Sequence, residues 1–128
     1  MIVLSSGDVQ AVSAPPLAPV ERPIDLEHLS RMTLGERNLE REVLQLFDRQ
    51  ASMLLNRMLT TPPPVAAAAA HTLKGSALGI GAFEVARAAE AVEFAARSDV
   101  GDMPNRVRQL RGCVEAARIV IADLLRSH

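Results

Sequence analysis

Tryptophan and tyrosine are absent from this 128-residue chain, and Phe47, Phe83 and Phe94 are its only aromatic residues. A single cysteine, Cys113, excludes an internal disulfide. That points to a reducing compartment, with Cys113 expected as a small buried hydrophobe. Runs of β-branched residues bounded by turns are missing, which argues against strands. Excess charge of either sign is missing too. The formal net charge is −1 and the pI about 6.3, so neither nucleic acid nor an anionic membrane is expected as a partner. No apolar stretch reaches the length of a membrane span, and the opening Met1-Ile2-Val3-Leu4 lacks the basic flank and long apolar core of a secretory signal. These features predict a soluble, cytoplasmic protein. Gly-rich phosphate loops, nucleophile elbows and metal-ligand spacings are likewise absent.

Alanine, leucine, valine and arginine dominate instead, a composition that favours helices. Residues 1–22, with Pro15, Pro16 and Pro19, show no period and read as a Pro-rich tail. Residues 23–128 read as one all-α domain, large enough to bury a core. Asp25 is placed to cap a short helix through about Met32, with Leu26 and Leu29 on one side. A long helix is expected over residues 36 to 59, with Leu39, Val43, Leu46, Phe47, Met53, Leu54 and Met58 as its buried stripe. Met32, Met53 and Met58 are expected as core filling. The triple proline Pro62-Pro63-Pro64 ends that helix, and Thr61 is placed to cap the next. The third helix is expected to stop near Leu78 at Gly79 and Gly81. A fourth spans about residues 82 to 97, with alanines 86, 88, 89, 91, 95 and 96 suited to close packing. A last helix, about 104 to 126, carries Val107, Leu110, Val114, Ala117, Ile121 and Leu124 at alternating three- and four-residue spacing. Four amphipathic helices with short connections predict an antiparallel four-helix bundle, with the short extra N-terminal helix as a lid.

The third helix holds the one arrangement that points to chemistry. His71 is followed by Lys74 one turn on and by Gly75 at i+4. Lys74 is the only lysine beside thirteen arginines, so this position uses a compact ammonium where the chain otherwise uses a planar fork. At 100° per residue, Ala66, Ala70, Leu73 and Ala77 form the core face, while Ala67, His71, Lys74, Gly75 and Leu78 cluster on a flank. A neutral imidazole nitrogen is a nucleophile toward phosphoryl groups, and a lysine at i+3 reaches the phosphoryl oxygens. Gly75 weakens the helix by roughly 1 kcal/mol relative to alanine. Clearance for a visiting partner explains that cost better than close packing of a neighbouring helix. Glu93, with Arg97 at i+4, is by spacing alone equally a solvated surface glutamate. His28 and His128 are isolated, and with no cysteine or carboxylate clustering they make no metal site.

The segment Ala70-His71-Thr72-Leu73-Lys74-Gly75-Ser76-Ala77, followed by Gly81-Ala82 and by Val85 through Arg97, resembles the histidine-containing phosphotransfer (HPt) domain of multistep phosphorelays. The resemblance extends over residues 24 to 126. It implies a helical bundle with an exposed histidine that accepts a phosphoryl group on Nε2 from a receiver-domain aspartate, of a hybrid kinase or a response regulator, and donates it to another receiver. Carried over, His71 is the phospho-acceptor, Lys74 the cation for the phosphate, and Gly75, Ala67 and Leu78 the receiver-docking face. Glu93 would take the place of the family's Gln or Glu that faces the other imidazole nitrogen and orients the ring. Ser76 stands in the pattern, although a serine there can simply bond back to its own turn. The resemblance further implies a phosphocarrier without an ATP site or autokinase activity, and a closed bundle with one exposed site leads to the expectation of a monomer. It would bind no cofactor of its own, and Mg2+ would be carried by the partner receiver. Two other functions fit less well. One is a docking module that regulates a kinase or response regulator without taking phosphate. The other is the dimerisation helix pair of a histidine kinase, for which too few residues follow His71 to hold an ATP-binding domain.

Overall fold

A computed structural model describes residues 22–98 and 102–127. Among the described residues five helices follow one another: α1 Leu26–Met32, α2 Arg37–Thr60, α3 Pro63–Ile80, α4 Phe83–Ser98 and α5 Met103–Ser127. Helices α2 to α5 pack in sequence, and α5 closes back on α2, giving an all-α bundle; α1 packs against α3. The tail expected over residues 1–22 lies outside the described residues except for Arg22, as does His128.

Local chemistry accounts for most helix ends. The Asp25 side chain accepts from the His28 N–H at 3.1 Å and so caps α1. The cap expected of Thr61 does not form. Pro62 is the N-cap residue of α3, and Thr61 Oγ1 instead donates to the Arg57 carbonyl at 2.5 Å, closing the end of α2. Prolines occupy the first turn of α3, where their missing N–H costs nothing. Gly79 stays helical. The stop is Gly81, in the left-handed region at φ 81°, where the Ala82 N–H reaches the Ala77 carbonyl at 2.9 Å. A Cβ at Gly81 would lie 2.8 Å from the Asp25 carbonyl oxygen, and the Asp25 N–H donates to Gly81 O at 2.9 Å. The segment leading into α1 is thereby fastened to the α3–α4 corner. Between α1 and α2, Leu34 adopts φ 55° and is 88% exposed, an uncommon backbone for leucine.

The core contains the stripe of α5 as expected, with Val107, Leu110, Val114, Ala117 and Ile121 buried and Leu124 half-buried. On α2 the expected stripe is corrected. Leu44, Phe47, Ala51, Leu54, Leu55 and Met58 are buried, whereas Leu39, Leu46 and Met53 are exposed. The expected set had joined two helix faces about 100° apart. Met32 is exposed as well and fills no core. Cys113 is half-buried, against a small-residue groove between α4 and α5. Burial and the neighbouring Glu84 push its thiol pKa up, Arg87 opposing. Arg118 pins α5 to α2 through Asp48 at 2.6 Å, and Arg41 reaches the Leu125 carbonyl at 2.9 Å.

Candidate functional site: the His71 cleft between α3 and α4

Helix α3 is surrounded on three sides, by α1, α2 and α4. Its alanines other than the exposed Ala68 are buried accordingly: Ala66, Ala67, Ala69, Ala70 and Ala77, together with Leu73 and Ile80. Ala67 therefore does not belong to the exposed docking face expected of it. With 0% exposure it is sealed inside, because a helix apolar almost all round can bury more than one stripe. His71 emerges from the side that remains open, its side chain 67% exposed.

Small residues on both helices set α3 and α4 close together, and charged side chains of α4 meet those of α3 across the cleft. The cleft, about 450 Å³, is lined by His71, Lys74, Glu90, Glu93, Phe94, Arg97 and Ser98. His71 Nδ1 lies 3.2 Å from Glu93 Oε1. A carboxylate can only accept, so the shared proton sits on Nδ1, which in the neutral ring puts the lone pair on Nε2. Among the described residues Nε2 has no protein partner. The other carboxylate oxygen, Glu93 Oε2, accepts from Arg97 Nε at 3.1 Å. The Glu93 side chain is 17% exposed. Its burial alone would raise the carboxyl pKa, but the hydrogen bonds and charges of His71 and Arg97 outweigh this and hold it below the ordinary glutamate value.

Lys74, half-buried, points across to α4 and pairs with Glu90 at 3.2 Å. That pair joins residues on separate helices, so no local spacing in the sequence announced it. Gly75 is exposed, with nothing within 4 Å of where its Cβ would stand. No neighbouring helix therefore needs its missing side chain. Ser76 does not bond back to its own turn; its hydroxyl donates to Gln50 Oε1 of α2 at 3.2 Å. Leu78 is exposed.

Two features escaped the sequence reading. His28 is not idle: its Nε2 bonds the Leu78 carbonyl at 2.9 Å, and its ring meets Phe83 edge-on at 5.2 Å. The second is a shallow apolar cleft of about 260 Å³ between α1, α2 and α3, with Met32, Leu39, Leu46, Ser76 and Gly79 among its lining residues. It adjoins the His71 face through Ser76 and Gly79, and its exposed leucines were those expected in the core. Among the described residues no group of histidine, cysteine and carboxylate side chains could hold a metal ion, and no helix is long and apolar enough to cross a membrane.

Among curated proteins the chain has no match. The Hpt domain family matches residues 42–120, which include α3, α4 and most of α2 and α5. A helical bundle, an exposed histidine and a match over more than half its length agree: the chain belongs to the Hpt domain family, whose members serve phosphotransfer in two-component signalling.

Proposed function

We propose that His71 takes a phosphoryl group on Nε2 from the aspartyl phosphate of a receiver domain and gives it up to the aspartate of another. The supporting observation is the exposed ring, tied through Nδ1 to Glu93 at 3.2 Å. In the forward step the Nε2 lone pair forms the N–P bond as the aspartyl O–P bond breaks. The bonding electrons of that O–P bond return to the partner's carboxylate. The ring keeps its Nδ1 proton and acquires a positive charge, which the Glu93 carboxylate offsets. The reverse step releases neutral imidazole, a good leaving group. Such a transfer asks this chain mainly for positioning and charge balance. Mg2+ and the second reacting group come with the receiver.

Lys74 supplies the cation. It leaves Glu90 and swings to the phosphoryl oxygens, exchanging one exposed ion pair for a charge-assisted bond to a dianion. Gly75 and Leu78 give the receiver clearance and apolar contact. The leucines and methionine of the α1–α2–α3 cleft extend that contact, which explains why large apolar side chains stand exposed beside the histidine.

Incubation with a phosphorylated receiver is expected to transfer acid-labile, base-stable label to the protein, and His71→Gln is expected to take up none. Normal labelling of that variant would overturn the assignment. Equal pathway output from His71→Gln and the parent would favour a docking module that works without phosphate. Labelling by ATP alone would revive an autokinase.

A further inference from the structure

The cleft holds four charged groups around the imidazole: Lys74 on α3, and Glu90, Glu93 and Arg97 on α4. They form two ion pairs, Lys74 with Glu90 and Arg97 with Glu93. The second pair shares a carboxylate with the ring, one oxygen facing His71 Nδ1 at 3.2 Å and the other Arg97 Nε at 3.1 Å.

A lone carboxylate against Nδ1 has two effects. It fixes the tautomer that exposes the Nε2 lone pair. It also attracts a second proton to the ring, and a doubly protonated imidazole has no lone pair and cannot attack phosphorus. The same negative charge favours the positive ring of the phosphorylated form and so makes the phosphoryl group harder to release. A cation on the far side of the carboxylate keeps the first effect and offsets the other two. Arg97 stands in that place, one helical turn beyond Glu93 on α4, with its own side chain 57% exposed.

We infer that Arg97 is a positioning residue acting through Glu93, its guanidinium offsetting the Glu93 charge so that His71 stays a neutral nucleophile and a ready phosphoryl donor. This inference rests on the reading of His71 as the phospho-acceptor. Lys74 does not duplicate the role, because its ammonium is neutralised by Glu90 in the unphosphorylated protein and is needed by the phosphoryl group afterwards.

The test is a pH titration of the histidine ring nitrogens by 15N NMR on the full chain, with the His71 signals identified by their loss in His71→Gln. In Arg97→Gln the protonation of His71 is expected to move to higher pH by about half a unit to one unit, less than for a charge in direct contact because Arg97 is exposed and acts through Glu93. Arg97→Lys, which keeps the charge, is expected to stay within roughly 0.2 units of the parent. The double variant Glu93→Gln/Arg97→Gln removes both charges and is expected to return to near the parent position. Labelling by phosphoramidate, a small phosphoryl donor, is expected to lose about three- to tenfold in rate on the acid side in Arg97→Gln. Arg97 is itself exposed on the last turn of α4, and circular dichroism checks that the variants remain folded.

An Arg97→Gln titration that stays in place or moves down overturns the inference. So does an Arg97→Lys variant that shifts as far as Arg97→Gln, since the lost geometry and not the charge would then be responsible. The two readings fail separately. If the variants show the expected 15N shifts but the parent takes no label from phosphoramidate or receivers, the phosphocarrier reading alone is sunk.

Discussion

Helices α3 and α4 bury alanine for the most part, whereas α2 and α5 bury leucine, phenylalanine, valine and isoleucine. The two halves solve different problems. Large side chains such as Phe47, Leu44, Leu110 and Ile121 carry the apolar burial that holds the bundle together, each worth about 1.5–3 kcal/mol. Alanines contribute little area but let helix axes approach, since the separation of packed helices follows the size of the side chains between them. Close approach lets the Glu93 carboxylate reach an imidazole on the neighbouring helix. Stability is thus concentrated on one side of the molecule and reach on the other.

Substitutions in the two halves should therefore fail differently. The largest effect is expected from Leu110→Ala, which opens a cavity in the half built of large side chains and costs about 2–5 kcal/mol in urea denaturation. Label uptake per folded molecule should survive it. Ala89→Leu overfills the other half. It should cost about 1–3 kcal/mol and also slow phosphotransfer per folded molecule, because α4 is pushed away and Glu93 goes with it. A finding that both variants lose activity only in proportion to unfolding would erase the distinction.

Gly75→Ala sharpens the contrast from the opposite direction. The added methyl meets no neighbour, so helix propensity should raise stability by about 1 kcal/mol, read as a higher Tm, while transfer from a receiver slows. Glu93→Gln tests the electrostatic contribution. The folded Glu93 carboxyl lies below its ordinary value, so its stabilisation is present above the ordinary glutamate range and is lost as pH falls through the lowered folded value. The stability gap between parent and Glu93→Gln should accordingly narrow as pH drops below about 4.5. The smallest effect concerns Cys113. With its thiol pushed toward the neutral form, alkylation near pH 7 should be slower than for a free cysteine thiol.

Much of this organisation could be read from the chain. The helices, the Asp25 cap and the α5 seam followed from spacing and capping chemistry, and His71, Lys74 and Gly75 stood out because a nucleophile, a rare cation and a missing side chain fell on one helix at short intervals. Ala67 was misplaced because alanine is apolar enough for a core and small enough for a surface, so on α3 the residue types do not separate the two faces. Leu39 and Leu46 were assigned to the core because sequence cannot distinguish a leucine held for packing from one exposed beside a cleft. The Lys74–Glu90 and His28–Leu78 contacts join separate helices and leave no local periodicity.

The crowding of Gly81 against the Asp25 carbonyl has a mechanical consequence. His71 lies ten residues before that corner and Glu93 ten residues after Phe83 begins α4, so each arm extends about 15 Å from the pivot. A splay of about 5° at the pivot would part the arms by roughly 1.3 Å at their far ends, enough to break the imidazole–carboxylate bond. A side chain at position 81 would act as a wedge there, so the alignment of the reacting ring depends on a residue with no side chain a full helical arm away.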